Sequence, residues 1–159
     1  MVGHTGPVVS LLVLPDGNLA SGSRDKTVRI WNIKTGQTTE ILSEHKDYVL
    51  SLAMLPDGTL LSGGKDKTMI FWKNGIRDFK ITISGFLFIN NEIRSILPLP
   101  NGNLAIGLRG YIGIFDKKNR KLIDKLHGHR THVNALGLLA DGRLVTACND
   151  KTLQIYKYP

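Results

Sequence analysis

One short turn phrase returns four times along the chain: PDG at 15–17, PDG at 56–58, PNG at 100–102 and ADG at 140–142. Its acidic or amide residue stands at 16, 57, 101 and 141, so successive units lie 41, 44 and 40 residues apart. A fixed period of this size limits the fold severely, because one small unit repeated in series must bury its faces against its own neighbours. Each unit has the same order. An apolar run comes first: VVSLLVL, VLSLAML, IRSILPL and VNALGLL. At the turn, Asp or Asn accepts backbone hydrogen bonds and Gly takes a positive φ. A short segment follows (NLASGS, TLLSGG, NLAIGL, RLVTAC), then a run closing on an aromatic (VRIW, MIFW, IGIF, LQIY). The first three units add a more polar run: QTTEILS, DFKITIS and RKLIDKL. Short, β-branched and bounded by turns, these runs read as strands.

Each unit is then an antiparallel meander that cannot cover both of its faces. Radial stacking covers them, which gives an all-β β-propeller of four-stranded antiparallel blades. The chain is read as a single domain, 1–159, of about four blades at 4–43, 45–84, 89–127 and 129–159. The last blade lacks its outer strand, so fifteen strands are expected.

Three units share a phrase: SRDKTVRIWN at 23–32, GKDKTMIFWK at 64–73 and CNDKTLQIYK at 148–157, each with a His upstream. Gly3-His4 and Gly128-His129 are GH dipeptides and Glu44-His45 is a near match; Trp31-Asn32 and Trp72-Lys73 close the third strand. In these features the whole chain resembles the WD-repeat β-propeller family. The recurring sets are His4, Ser21, Asp25 and Trp31; His45, Ser62, Asp66 and Trp72; and His129, Thr146, Asp150 and Tyr156. A hydrolase triad needs one nucleophile, base and acid at one open site, and repeated copies do not converge. The resemblance implies instead a hydrogen-bond network inside each blade, with no catalytic residue. Asp orients the imidazole, the imidazole bonds the Ser or Thr hydroxyl, and that hydroxyl reaches the aromatic's N–H. With Tyr156 in the aromatic slot, a phenol that both donates and accepts keeps an altered network. In the third unit the His position falls in FLFINN, and Ile106, Gly110 and Phe115 occupy the other slots. A looser turn eased by Gly110 and Gly113 is expected there.

Other signals are weaker. HGHRTH at 127–132 holds His127, His129 and His132, but no carboxylate or Cys joins at ligand spacing, so no metal is assigned. GLRGYIG at 107–113 has no helix after it to help cradle phosphate. No HExxH, GxSxG or Walker sequence occurs, and no cofactor is expected. The 21 Lys and Arg against 13 Asp and Glu give a charge of +8, which favours anionic partners. KKNRK at 117–121 has no interleaved aromatics for base stacking, and nucleic acid is the lesser reading. The single cysteine, Cys148, suits a reducing compartment, cytoplasm or nucleus. No apolar run is long enough to span a bilayer.

The resemblance implies a non-catalytic scaffold for a protein or peptide partner, met at the face where the turn loops emerge. Candidates are Arg24, Lys65, Arg109 and Asn149 beside the tight turns, and Tyr48 and His132 ahead of the first strands. Their cations suit an acidic or phosphorylated segment. With only Met1-Val2-Gly3 ahead of His4, two arrangements follow: part of a longer propeller, or self-association, two chains joining as an eight-bladed ring.

Overall fold

The computed structural model describes residues 1–83 and 91–158. The chain divides into two compact units, Met1–Ser84 and Gly85–Pro159. The His slot of the third repeat, in FLFINN, lies almost wholly outside the described residues.

The first unit holds two four-stranded antiparallel sheets, β1 (Val8–Val13) to β4 (Thr38–Leu42) and β5 (Val49–Met54) to β8 (Ile76–Thr82), each a simple meander. The strands between are β2 (Leu19–Ser23), β3 (Val28–Trp31), β6 (Leu60–Gly64) and β7 (Thr68–Lys73). The repeated turn joins the first two strands of each sheet. In PDG at 15–17, Asp16 accepts the Asn18 amide at 2.9 Å and Gly17 adopts φ 83°. Gly58, Gly102 and Gly142 repeat that φ within a few degrees, at 81°, 84° and 84°, which no Cβ-bearing residue adopts without cost.

The two sheets pack face to face. Ala20, Val28, Ile30 and Leu42 of the first, with Leu12 and Leu14, meet Val49, Leu60, Ile70 and Trp72 of the second, with Leu52 and Met54. Interdigitation of apolar side chains from facing sheets is what stabilises an arrangement of this kind.

The second unit is one six-stranded sheet: β9 (Ser95–Pro98), β10 (Leu104–Gly107), β11 (Arg109–Asp116), β12 (Lys121–Leu138), β13 (Leu144–Cys148) and β14 (Leu153–Tyr156). It differs from expectation at β12. The fourth strand of one repeat and the first of the next form one 18-residue strand, so the described strands number fourteen. β12 pairs with β11 up to His132 and with β13 from Val133 onward, and it bends the sheet over a core of its own. That core sets Leu99, Ala105, Ile112 and Ile114 against Val133 and Leu144. The fusion arises because pairing already starts at Arg109, within the turn itself, and offers a partner to residues that elsewhere form a loop.

The turn before β11 is shorter than its counterparts. Leu108 bonds Tyr111 across only Arg109-Gly110, whereas Ser23 and Thr27 span three residues. Gly110, at φ 85°, makes the bend, while Gly113 lies within β11 opposite Lys125. Without an Asp there is no side chain to cap a longer loop, and the hairpin closes up.

Candidate functional site

Three polar clusters repeat. In the first sheet, His4 Nδ1 lies 2.7 Å from Asp25 Oδ2 and His4 Nε2 lies 2.7 Å from Ser21 Oγ. The Trp31 indole N–H donates to Ser21 Oγ at 2.7 Å. In the second sheet the corresponding distances are 3.1 Å for His45–Asp66, 2.8 Å for His45–Ser62 and 2.8 Å for Trp72–Ser62. An ionised Asp only accepts, so Nδ1 carries the imidazole proton and Nε2 accepts from the hydroxyl. The hydroxyl spends its hydrogen on the imidazole and takes the indole N–H on a lone pair. Every group is satisfied, as burial requires.

The order Ser–His–Asp is that of a hydrolase triad, but the surroundings are not. Ser62 is fully buried, and Ser21 nearly so. Each hydroxyl is capped by an indole. The hydroxyl is thus held between an imidazole and an indole.

The carboxylates are strongly held. Desolvation opposes ionisation of Asp25, but donation from Thr27, His4 and the Thr5 and Thr27 amides outweighs it. Asp66 is the same: burial is overcome by His45, Thr68 and the Lys46 amide. At Asp150 the Thr152 hydroxyl acts most strongly, against desolvation and with the Arg130 amide, His129 and Cys148. All three stay far below the usual carboxylate range.

The third cluster departs from expectation at its aromatic. His129 meets Asp150 at 3.0 Å and Thr146 at 2.6 Å. Tyr156, however, donates to Gln154 Oε1 at 2.5 Å rather than engaging Thr146. Thr146 and the Gln154 carbonyl oxygen lie 3.3 Å apart, within reach of the hydroxyl's proton. The phenol oxygen stands beyond the ring, where an indole nitrogen would lie nearer the strand, and Gln154 offers the closer acceptor.

A thiol also enters this cluster. His129, Cys148 and Asp150 place ligand atoms within 4.8 Å of one another, although no carboxylate or Cys joins HGHRTH at ligand spacing in the sequence. These are the described residues that could hold a metal. Their donors are already committed: Asp150 accepts from Arg130 N, Thr152 N and Thr152 Oγ1, and Cys148 Sγ lies 3.3 Å from Thr131 Oγ1. The same imidazole–carboxylate pair forms where Ser23 and Gly64 fill the thiol's place. The thiol is therefore a small side chain added to a common pattern.

The expected surface residues separate into two groups. In the first unit, the Arg24 guanidinium lies 5.4 Å and the Lys65 ammonium 4.9 Å from the centroid of the Tyr48 ring. Among the described residues, no carboxylate comes within ion-pair distance of either cation. In the second unit, Arg109 is in register with His132, Asn149 N bonds the His132 carbonyl at 3.1 Å, and Asn134 donates to the Asn149 side chain. Here the sequence reading missed Glu92. Its buried carboxylate takes two bonds from Arg94, at 3.0 and 2.7 Å, and lies 4.0 Å from His132 Nε2. Burial and then the Arg94 charge hold the His132 imidazole below its ordinary value, against Glu92. The signal was present: Glu92 precedes Ile93 as Tyr48 precedes Val49 and His132 precedes Val133.

The family model for the WD domain, G-beta repeat, matches residues 1–32, 36–73 and 120–157, the three stretches that carry the clusters. The chain belongs to the WD-repeat family. Members of this family are in general non-catalytic scaffolds that bind protein partners. The chain is 29% identical over 141 residues to the U3 small nucleolar RNA-associated protein 15 homolog of Xenopus tropicalis, an alignment covering 87% of this WD-repeat chain and 27% of that protein. It is also 46% identical over 43 residues to Cell division control protein 4 of Saccharomyces cerevisiae, covering 27% of this chain and 6% of the yeast protein. The chain thus spans a small part of the length of these relatives. No helix among the described residues is long and apolar enough to cross a membrane.

Proposed function

We propose that this WD-repeat chain is a docking scaffold whose first unit receives an acidic or phosphorylated peptide segment at Arg24, Tyr48 and Lys65. The observation that carries the reading is the pair of cations drawn over one aromatic ring, with no carboxylate among the described residues within ion-pair distance of either. Two cations at one ring suit an anion, which a phosphate or paired carboxylates supply through charge-assisted hydrogen bonds. Arg109, His132 and Asn149 form the corresponding rim of the second unit, where Glu92 already balances part of the charge. The blades at 4–43, 45–84, 89–127 and 129–159 serve as the frame. His4, Ser21, Asp25 and Trp31, with their counterparts, pin each blade from within and take no part in chemistry.

Fluorescence anisotropy against phosphorylated and unphosphorylated acidic peptides tests this. Arg24→Glu with Lys65→Glu should weaken binding at least about tenfold, the scale of one lost charge-assisted contact. Unchanged binding would overturn the assignment.

A second reading rests on the +8 charge together with the name of the frog relative, a small nucleolar RNA-associated protein. In that reading the chain works beside RNA in the nucleus; in the first it works in the cytoplasm. Retention on an RNA column that falls steeply with salt, and a tagged chain found in the nucleus, would favour it.

A further inference from the structure

We propose that the first unit carries a docking groove at the end of its two sheets opposite Arg24, Tyr48 and Lys65, and that this groove takes a basic, apolar segment of a protein partner. Strand order fixes the two ends. The loops 24–27 and 65–67, which join second strands to third, lie at one end. The PDG turns at 15–17 and 56–58 and the Asn74-Gly75 turn between β7 and β8 lie at the other. At that other end the core between the sheets does not close. Leu14, Ile30 and Leu42 from the first sheet and its turn, with Met54, Leu60 and Trp72 from the second, line a groove of about 290 Å³. Both walls belong to the unit Met1–Ser84, and Leu14 and Met54 are only half-buried.

Size narrows the occupant. A cavity of about 150 Å³ takes one benzene-sized group, and sites for drug-sized molecules run from about 300 Å³ upward. The groove therefore suits about one or two side chains, which a peptide segment supplies. Charge narrows it further. The chain carries +8, yet the charged side chains that line the groove, Asp16 and Glu40, are both acidic. Glu40 reaches from β4 to the Asn74-Gly75 turn, where a Cβ on Gly75 would strike its Oε2. Among the described residues, no cation lies within ion-pair distance of Asp16 or Glu40, whereas Arg77 of β8 is already taken by Glu44 at 3.0 Å. Asp16 accepts one bond per oxygen from Asn18 and keeps a lone pair on each. An apolar side chain on the floor with an Arg beside it meets both demands. The first packs on Leu60 and Trp72, and the second lays its stem on the apolar wall and bonds the carboxylates at the rim. An acidic segment is repelled here and drawn to the cations at the opposite end, so the two ends select by sign.

The test is a proton–nitrogen NMR titration of the 159-residue chain with the peptide Gly-Arg-Phe-Arg-Gly, capped at both ends. The amide signals of Asp16, Glu40 and Gly75 and the Trp72 indole N–H should shift together, while those of Arg24, Tyr48 and Lys65 stay in place. The same peptide with Glu for both Arg should leave the groove signals unmoved. With Ser for Phe it should bind at least about tenfold more weakly. Asp16→Asn with Glu40→Gln removes both charges and keeps the shape, since Asn101 fills the turn slot of Asp16 in the third repeat and accepts the Asn103 amide at 3.1 Å. With circular dichroism unchanged, this double variant should lose at least about tenfold in affinity. Arg24→Glu with Lys65→Glu should leave groove binding unaltered, so failure at one end is read apart from failure at the other. No groove shift at millimolar peptide, equal shifts with the Glu peptide, or undiminished binding by the doubly neutral variant would overturn the proposal. Groove shifts that follow protein concentration without peptide would overturn it as well, by making a second copy the occupant.

Discussion

Asp66 accepts from the His45 imidazole, the Lys46 and Thr68 amides and the Thr68 hydroxyl, so one carboxylate ties together three positions of the chain. Removing it strands several donors in a buried place. Asp66→Ala should cost about 2–4 kcal/mol in chemical denaturation, the range for unsatisfied buried polar groups. Tyr156→Phe should cost under about 1 kcal/mol, because the phenol bonds only Gln154 and leaves Thr146 untouched. A larger loss would mean that the phenol does engage Thr146. Protonation acts on the same atoms. Asp25 and Asp66 have folded-state values below their ordinary 3.8, so each contributes its full stabilisation above that pH. The contribution fades as pH falls through and below it. The melting temperature should drop between about pH 5 and pH 2, and less steeply in Asp66→Asn than in the parent.

Among the strands and turns, contrasts between equivalent hairpins are the most informative. The Thr27 amide is held at 3.0 Å by Asp25, in a loop where Lys26 adopts φ 73°. The Arg109-Gly110 turn has no such cap. Gly110's amide should therefore exchange with deuterium faster than Thr27's, and equal protection would count against the capping role of Asp25. Gly128, within β12, has φ 151°, and a Cβ there would meet the Gln154 side chain and lie 2.7 Å from the Tyr156 hydroxyl. Gly128→Ala should destabilise the second unit by about 1–3 kcal/mol, from strain and overpacking together. The same position explains why β12 was not foreseen. A Gly beside two histidines reads as a break, but its partner strand makes it a bulge.

At the scale of the whole molecule, two compact units with cores of their own give a stability that is a sum of local terms. Damage to a cluster in one unit should accordingly stay there. Asp66→Ala should raise deuterium exchange in β5–β8 while leaving β10 and β11 unchanged, as mass spectrometry of peptide fragments would show. Uniform loss of protection would mean that the two units unfold as one.

The repeat, its turns and the members of the first two clusters were readable from residue order, because each rests on contacts whose partners recur at a constant spacing. Asp25 and Asp66 sit four residues after a Ser and six before a Trp, and that spacing sets each in the turn between the strands that carry the Ser and the Trp. Other features depended on geometry that residue order does not carry. Cys148 met His129 because two strands lie side by side, Tyr156 turned to its neighbour Gln154 because a hydroxyl and an indole nitrogen project differently, and Glu92, paired locally with Arg94, came near His132 only through folding. Periodicity reports which side chains share a slot. Which of them touch is settled by the distances that only folding brings about.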